Sequence, residues 1–264
     1  KKAIVEKLKS KYNVEWFEET GPEYTVQVSL LKDIATLTID TSGAGLHKRG
    51  YREKHTEAPI KETLAAALIM ISYWNKRRVF MDTFCGSGTL PIEAALIGKN
   101  IAPGLNRTFA SEKWPILGKE LWKNERINAL KQIDQDRILD IHASDIDPQA
   151  IKIAEENAYN ASVDDCIHFS VKDFSKVDRS LLNNYGVIIS NPPYGGRLSD
   201  LQEVEKLYKL MGKVFEKYIT WSKYFITPVE NFEKLYGRKA DKKRKLYNGR
   251  IKVDYYQYFG PKPS

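Results

Sequence analysis

The stretch Asp82-Thr83-Phe84-Cys85-Gly86-Ser87-Gly88-Thr89 decides how this chain folds. It follows a short apolar segment and leads into a predicted helix with Pro91 in its first turn, a position that proline favours. Two glycines in such a strand-to-helix turn allow the backbone to come close to a ligand beneath the N-terminus of the helix. We therefore expect a βα unit of a parallel sheet, with a tight turn that binds nothing as the simpler alternative.

The same alternation of short apolar strands and helices continues over most of the chain. Strands are predicted to end near Asp82, Asp145, Val171 and Ser190, and this order of elements is typical of an α/β fold with a parallel sheet. The segment from Leu246 to Phe259 contains the turn pair Asn248-Gly249 and predicts a hairpin that closes the sheet antiparallel.

Two long helices and an N-terminal hairpin complete the predicted elements. Within residues 24–39, two runs alternate apolar with polar side chains as half-buried strands do, and residues 31–33 separate them as a turn. The helices are predicted from Pro59 to Trp74 and from Leu201 to Tyr218. Residues 98–137 form an insertion for which the pattern predicts no detailed structure.

The composition excludes several classes of protein. Lysine and arginine outnumber aspartate and glutamate by 42 to 34, and the resulting formal charge of +8 favours a polyanionic partner. The two cysteines, Cys85 and Cys166, cannot form a disulfide framework, so a reducing cytoplasm is the expected location. No apolar run reaches the length of a membrane span. No metal is expected, because metal-ligand spacing is absent among the cysteines and among His47, His55, His142 and His168.

The strand ends carry the candidate binding residues, because ligands of an open parallel sheet bind at the carboxyl ends of its strands. The loop from Asp82 to Gly88 lacks the phosphate-binding glycine patterns, so a pyrophosphate ligand is disfavoured. Asp145 can accept hydrogen bonds from both hydroxyls of a ribose, whereas Asp147 suits the N-cap of the next helix. Asp173 can accept a hydrogen bond from an adenine amino group, and Phe174 can stack on the adenine ring. A purely structural role for each carboxylate is the alternative.

The run Asn191-Pro192-Pro193-Tyr194 follows the fourth strand and carries the candidate catalytic groups. Its prolines stiffen the backbone and hold two acceptors, the Asn191 side chain and the Pro192 carbonyl, in fixed directions. When these acceptors bind both hydrogens of an exocyclic base amine, they favour a pyramidal nitrogen whose lone pair can face a methyl sulfonium. Tyr194 offers a ring for base stacking, a contact worth about 1–3 kcal/mol. The pattern predicts N-methylation of a base, with a plain Pro-Pro turn as the alternative.

Cys85 and two basic clusters allow further interpretations. Cys85 could be a nucleophile of the kind used to methylate ring carbons, but its position in the glycine loop favours a packing role. The clusters at Arg77-Arg78 and within residues 238–250 could contact phosphates, although charge runs are more often solvated surfaces.

With these motifs in this order, the chain from about residue 55 to residue 259 resembles the class I S-adenosylmethionine-dependent methyltransferases of the Asn-Pro-Pro-Tyr type. It is similar in particular to the THUMP-associated RNA methyltransferases, and among them to the ribosomal RNA guanine-N2 methyltransferases of the RlmL kind. The closer similarity is carried by the segments Leu46–Arg52, Glu57–Ala65, Asp82–Thr89, Asn191–Leu198 and Leu246–Arg250.

The resemblance implies the domain organisation and the fold. Residues 55–264 are expected to form a Rossmann-like class I methyltransferase domain, whose mostly parallel seven-stranded sheet ends in an antiparallel C-terminal hairpin. Residues 1–54 are expected to be a small α+β remnant, namely the C-terminal part of a THUMP-like RNA-binding domain with a linker.

The resemblance also implies S-adenosyl-L-methionine as the cofactor, with its methionine end near Pro59, and RNA as the partner. The expected activity is methylation of an exocyclic base amine, most directly guanine N2 in 23S ribosomal RNA. The alternative methylation targets are guanine N2 in transfer RNA, adenine N6 in DNA or RNA, and protein glutamine. A different alternative is a catalytically inactive RNA-binding module. The expected cofactor-binding residues are Asp82, Phe84, Gly86, Gly88, Asp145, Asp173, Phe174 and Asn191, and the expected catalytic residues are Asn191, Pro192, Pro193 and Tyr194.

Overall fold

The computed structural model describes residues 1–53, 59–176, 180–182, 185–195 and 198–262. The chain forms two compact units, of which the first contains Lys1–Ala44 with Thr108–Trp122 and the second contains Gly45–Arg107 with Lys123–Ser264. The expected domain boundary between residues 54 and 55 lies outside the described residues. The same is true of four residues of the quoted motifs, which are Glu57, Ala58, Gly196 and Arg197.

The first unit contains the predicted N-terminal hairpin. Helix α1 (Lys2–Tyr12) precedes strands β1 (Thr25–Leu31) and β2 (Ile34–Asp40), which pair antiparallel. Lys32 and Asp33 form the turn with φ values of 49° and 61°, the left-handed pair that a two-residue hairpin loop requires. The strand and turn predictions are confirmed to within one residue.

The burial of this hairpin differs from the prediction. The alternating pattern predicts half-buried strands, but the apolar side chains of both strands are exposed, Leu30 and Leu37 among them. The two strands form a sheet of their own, and a face of a two-stranded sheet becomes buried when a further element packs against it.

Residues 98–137 are the insertion for which the sequence pattern predicts no detailed structure. One part of it, Thr108–Trp122, belongs to the first unit. A short 3-10 helix (Ala110–Lys113) follows Phe109, and the indole of Trp114 stacks on Tyr24 with ring centroids 4.8 Å apart. The Trp114 Nε1 group donates to the carbonyl of Glu23 at 3.0 Å. Helix α4 (Lys119–Lys131) follows and passes from the first unit into the second.

The second unit is built on a seven-stranded sheet with the order β5-β4-β3-β6-β7-β9-β8. The strands from β5 to β7 are parallel, whereas β9 runs antiparallel to β7 and β8 runs antiparallel to β9. This is the expected Rossmann-like sheet with its antiparallel C-terminal hairpin. The strands are β3 (Phe80–Asp82), β4 (Ile141–Asp145), β5 (Ile167–Val171), β6 (Val187–Ser190), β7 (Ser222–Thr227), β8 (Lys242–Asn248) and β9 (Ile251–Tyr258).

The four parallel strands predicted to end near Asp82, Asp145, Val171 and Ser190 are confirmed, and each ends at the residue named. Strand β7 has no clear counterpart in the sequence pattern, because all six of its side chains are buried and no polar alternation marks it. A second short 3-10 helix (Asp164–Cys166) precedes β5.

The remaining helices of the described residues are α2 (Glu62–Met70), α3 (Thr89–Gly98), α5 (Pro148–Asn160), α6 (Leu198–Phe215) and α7 (Phe232–Tyr236). Four of these five helices follow the predicted order, and the last, a short one, has no predicted counterpart. The helix predicted from about Pro59 to Trp74 is present but shorter at both ends. The Ser72 hydroxyl donates to Ile69 and accepts from the amide of Trp74, so a turn replaces the last predicted helical residues. Helix α6 begins and ends three residues before its predicted limits.

The sheet is buried on both faces. Phe80 and Tyr255 contribute to a core beneath α2, α3 and α5, whereas Met81 and Tyr256 contribute to a second core with α6 and α7. Double burial explains why its strands are nearly continuous apolar runs. Among the described helices, none combines the length and the apolar character needed to cross a membrane.

A buried ion pair ties the start of the second unit to α3. The Glu93 carboxylate accepts hydrogen bonds from Arg49 Nε at 3.2 Å, from a terminal Arg49 nitrogen at 3.1 Å and from the Tyr51 hydroxyl at 3.0 Å. Burial raises the pKa of Glu93, and the hydrogen bonds and charge of Arg49 act against that rise.

We predict that Arg49→Met lowers the free energy of unfolding by about 3–5 kcal/mol at neutral pH, because it leaves a buried carboxylate without its cation. Without Arg49 the pKa of Glu93 in the folded state rises further above its unfolded value. The folded variant then binds the extra proton, so its loss of stability should shrink as the pH falls. Urea denaturation at about pH 7.5 and about pH 5.5 measures both effects.

Arg137→Met is the control, since Arg137 pairs with Asp134 on the surface and such pairs contribute about 1 kcal/mol or less. Equal losses for the two variants, or an Arg49→Met loss that does not change with pH, would contradict the prediction.

Candidate active site

A cavity of about 660 Å³ opens where β3, β4, β5 and β6 end. This edge of the sheet is also where the chain order reverses, between the neighbouring strands β3 and β6, and such switch points are the usual ligand sites of open α/β sheets. The predicted site residues that line the cavity are Asp82, Phe84, Gly86, Asp145, Asp173, Phe174, Asn191, Pro192, Pro193 and Tyr194.

Asp82 ends β3 and is almost completely buried at this cavity. Its Oδ1 accepts from the amide of Phe84 at 3.1 Å, and the Ser190 hydroxyl is a second hydrogen-bond partner. Burial raises the pKa of Asp82 to about 7, while these two hydrogen bonds act to lower it. Ser190 Oγ also accepts from the amide of Thr83 at 3.2 Å, so the ends of β3 and β6 are joined.

Asp145 ends β4 and connects to the glycine loop. Its Oδ2 accepts from the amide of Gly86 at 2.9 Å, and its Oδ1 accepts from the amide of Asp147 at 3.1 Å. Each carboxylate oxygen has a further lone pair that can accept a ligand hydroxyl. Asp147 caps α5 as the sequence indicated, since its Oδ1 accepts from the amide of Gln149 at 2.8 Å.

Asp173 and Phe174 follow β5 and form another wall of the cavity. The backbone amide and the hydroxyl of Ser175 hydrogen-bond to the Asp173 carboxylate and lower its pKa, so Asp173 is a stable anionic acceptor. The rings of Phe174 and Phe84 pack with centroids 5.0 Å apart. The cavity is thus lined by an apolar aromatic surface as well as by the Asp145 and Asp173 carboxylates.

Gly88 is the one predicted cofactor residue that does not line the cavity. It has a φ of +83° directly before α3, and a Cβ at this position would lie 2.9 Å from the Cβ of Ala154 in α5. The glycine therefore allows α3 and α5 to approach each other closely. A contact between Gly88 and a cofactor stays a prediction.

The segment Asn191–Tyr194 leaves β6 and completes the cavity. Pro192 is buried, Asn191 and Tyr194 are partly exposed, and burial raises the pKa of the Tyr194 hydroxyl. The carbonyl of Pro193 accepts from the Tyr208 hydroxyl at 3.1 Å. The four strand ends and the Asn-Pro-Pro-Tyr loop therefore meet at one place, as the sequence predicts.

Other residues of the site were missed from the sequence. The cavity is also lined by Thr83, Leu90, Ile146, Lys172 and Leu207. Two further side chains hydrogen-bond to the backbone of its loops, Tyr208 to Pro193 and Ser190 to Thr83. Ser190 had a visible signal, since it is the polar end of the apolar run Val187–Ile189. Tyr208 had none, because its partner is fifteen residues away and its pattern is that of an ordinary core residue.

Three further sequence interpretations can be compared with the geometry. Cys85 is buried, and burial together with the charges of Asp82 and Asp145 raises the pKa of its thiol, which supports packing rather than nucleophilic catalysis. Arg78 is structural, since its guanidinium donates to the carbonyls of Tyr73, Tyr185 and Gly186. The part of the chain that the structure describes contains no cluster of side chains suited to hold a metal ion.

Comparison with known families assigns both parts of the chain. Residues 49–257 match the family described as RMKL-like, methyltransferase domain, and residues 1–40 match the THUMP domain. The crystal structure of SMU.472, named as a methyltransferase and complexed with SAH, has a TM-score of 0.91 and 47% sequence identity; the match covers 100% of this chain and 69% of that one.

Two curated relatives agree with this assignment. YpsC of Bacillus subtilis (strain 168), which is named as an RNA methyltransferase, is 56% identical over 98% of this chain and 67% of its own length. Ribosomal RNA large subunit methyltransferase K/L of Shewanella frigidimarina (strain NCIMB 400) is 38% identical over 91% of this chain. The match spans only 34% of that longer relative.

These similarities confirm the resemblance and the fold expected from the sequence. They also confirm S-adenosylmethionine as the cofactor of the family, because SAH is what remains of it after methyl transfer. A methyltransferase family match over most of the chain, the sheet order and the cavity at the strand ends all agree. This chain therefore belongs to the RMKL-like methyltransferase domain family.

Proposed function

We propose that this protein uses S-adenosylmethionine to methylate an exocyclic amine of an RNA base, most directly guanine N2 in 23S ribosomal RNA. The observation that carries the proposal is the shared cavity, which brings the Asn191–Tyr194 loop together with carboxylates from three other strand ends. The two acceptors for a base amine, on Asn191 and Pro192, thereby lie beside the binding site for the methyl donor.

The residues around the cavity fit this cofactor. The volume of about 660 Å³ is within the range of about 300–1,000 Å³ that small-molecule sites have. Asp145 has free lone pairs for the ribose hydroxyls, Asp173 is an anionic acceptor for the adenine amino group, and Phe174 with Phe84 can stack on the ring. When bound, the cofactor supplies an electrophilic methyl group on a cationic sulfur.

The chain's own groups orient and activate the amine. Asn191 Oδ1 and the Pro192 carbonyl accept its two hydrogens, which draws the nitrogen lone pair out of conjugation with the base. Tyr194 stacks on the base and excludes water from one of its faces. Because the methylated nitrogen is strongly acidic, it loses a proton to water or a nearby acceptor without a dedicated base.

The choice of RNA draws on the relatives and on the surface charge. The names of both curated relatives include RNA as the substrate, and residues 1–40 match a THUMP domain. Guanine N2 and 23S RNA follow from the resemblance to the RlmL kind, since the loop itself accepts any planar amine. The net charge of +8 suits a polyanion.

A basic edge on β8 is the surface that we propose for the RNA backbone. Lys242, Lys243, Arg244 and Lys245 are consecutive and exposed, and β8 is the last strand of the sheet. Strand β8 lies three strand spacings, or about 14 Å, from β6, the strand that the Asn191–Tyr194 loop follows. A strand of RNA with one base in the cavity can therefore bring its neighbouring phosphates to this edge.

For the cofactor site, we predict that Asp145→Ala weakens S-adenosylmethionine binding at least about tenfold, because two charge-assisted hydrogen bonds to the ribose are lost. Asp147→Ser is the matched control, since serine retains the N-cap of α5. Isothermal titration calorimetry measures both affinities. Equal affinities for the two variants would remove Asp145 from the site.

For the reaction, we predict that the protein transfers labelled methyl groups to ribosomal RNA and that Asn191→Ala lowers this transfer by about a hundredfold or more. Asn160→Ala, an exposed asparagine of α5, should retain full activity. The assay presents ribosomal RNA, transfer RNA, DNA and protein in parallel, and nucleoside analysis identifies the methylated atom.

Labelling of transfer RNA or DNA alone would replace the proposed substrate with one of the alternatives. A protein that binds neither S-adenosylmethionine nor SAH would instead be the inactive RNA-binding module. Near-normal turnover of Asn191→Ala would remove the catalytic role of the loop.

For RNA binding, we predict that Lys242→Gln, Arg244→Gln and Lys245→Gln together weaken affinity for RNA and reduce the slope of log affinity against log salt by about 2. The control removes three exposed charges outside both basic clusters, with Lys131→Gln, Lys152→Gln and Lys217→Gln. Lysines on an edge strand can also serve only to prevent edge-to-edge association. In that case the triple variant would aggregate while its monomer kept the original RNA affinity.

A further inference from the structure

Tyr208 connects the core of the second unit to the Asn191–Tyr194 loop. Its side chain is fully buried in α6, with the ring packed edge-on against Phe232 at 4.9 Å. The hydroxyl lies 3.1 Å from the carbonyl oxygen of Pro193 and 2.9 Å from Oγ1 of Thr227, the last residue of β7. A core residue thus reaches the loop that we propose to be catalytic.

The chemistry of the partners fixes the direction of these hydrogen bonds. The Pro193 carbonyl can only accept, so the single proton of the Tyr208 hydroxyl is donated to it. Thr227 must then donate to the Tyr208 oxygen, while Thr227 Oγ1 itself accepts from the amide of Val229 at 3.2 Å. The result is a one-way relay from Val229 through Thr227 and Tyr208 to the loop.

The hydrogen bond at the end of this relay restrains ψ of Pro193, the torsion of the loop that the two prolines leave free. The rings fix φ of Pro192 and Pro193, and a following proline restricts ψ of Asn191 and Pro192 to the extended region. No proline follows Pro193, so its ψ is unrestricted by sequence. The direction of the Pro193 carbonyl is set by that angle, and Tyr208 binds this carbonyl.

We propose that Tyr208 is a positioning residue for the Asn191–Tyr194 loop and that Thr227 orients its hydroxyl. The inference extends the proposed methyltransferase function, because a fixed ψ at Pro193 sets the direction of the Tyr194 ring on which the base stacks. It does not place Tyr208 in contact with the substrate.

The burial of the hydroxyl supports a dedicated role. A buried hydroxyl costs free energy unless it is hydrogen-bonded, and the Tyr208 hydroxyl meets this requirement through Pro193 and Thr227. Burial raises the pKa of Tyr208, which keeps the hydroxyl protonated and therefore a donor over the whole physiological pH range.

The test compares two tyrosines that each donate from the core to a backbone carbonyl. Tyr208→Phe removes the hydroxyl that binds Pro193, and Tyr255→Phe removes one that binds Leu68 in α2 at 3.1 Å. Both variants keep the ring. Hydrogen exchange at Tyr194 and Gly195, the amides that follow the prolines, reports on the loop without any need for activity.

We expect Tyr208→Phe to accelerate exchange at these two amides and to lower turnover at saturating cofactor about tenfold, with the cofactor Kd unchanged within about twofold. Tyr255→Phe should change neither the exchange nor the turnover. Thr227→Val should reproduce part of the Tyr208→Phe effect, and Thr227→Ser, which keeps the hydroxyl, should restore the original behaviour.

Identical loop exchange in Tyr208→Phe and Tyr255→Phe would overturn the positioning role. So would full turnover of Tyr208→Phe in an active enzyme. If the unmodified protein transfers no methyl group to any nucleic acid or protein, the proposed function fails. The exchange experiment still decides whether Tyr208 holds the loop.

Discussion

The site depends on one directional constraint, which is that β3, β4, β5 and β6 are parallel and end at the same edge of the sheet. Residues that are far apart in sequence, such as Asp82 and Asn191, therefore line one cavity. Hydrogen bonds between the strand ends make this arrangement specific. Asp145 lines the cavity and binds the Gly86 amide, and the buried Ser190 hydroxyl binds the Thr83 amide, so side chains at the strand ends hold the loops.

Features that the chain encodes locally could be predicted from the sequence. Each parallel strand is a short apolar run that stops at a polar residue, so the ends at Asp82, Asp145, Val171 and Ser190 were predicted correctly. The cap at Asp147 and the turn at Lys32 and Asp33 also need only neighbouring residues. The four-residue loop was identified because two consecutive prolines after an apolar strand have few other uses.

Features that depend on distant contacts were not predictable in the same way. Tyr208 reads as one apolar position of an amphipathic helix, and only the packed structure brings its hydroxyl to Pro193. Gly88 reads as a ligand-approach glycine, but its close neighbour is Ala154. The hairpin strands alternate as half-buried strands do, yet their apolar side chains are exposed; the pattern alone does not say whether another element packs on them.

The segment Thr108–Trp122 has a consequence for how the chain can be divided. It is inserted between α3 and β4 of the second unit, yet its Trp114 stacks on Tyr24 and binds the carbonyl of Glu23 in the first. The backbone therefore passes between the two units three times, and no single cut separates them. A chain shortened to begin at residue 45 would keep Trp114 but lose both its stacking partner Tyr24 and the Glu23 carbonyl that it binds.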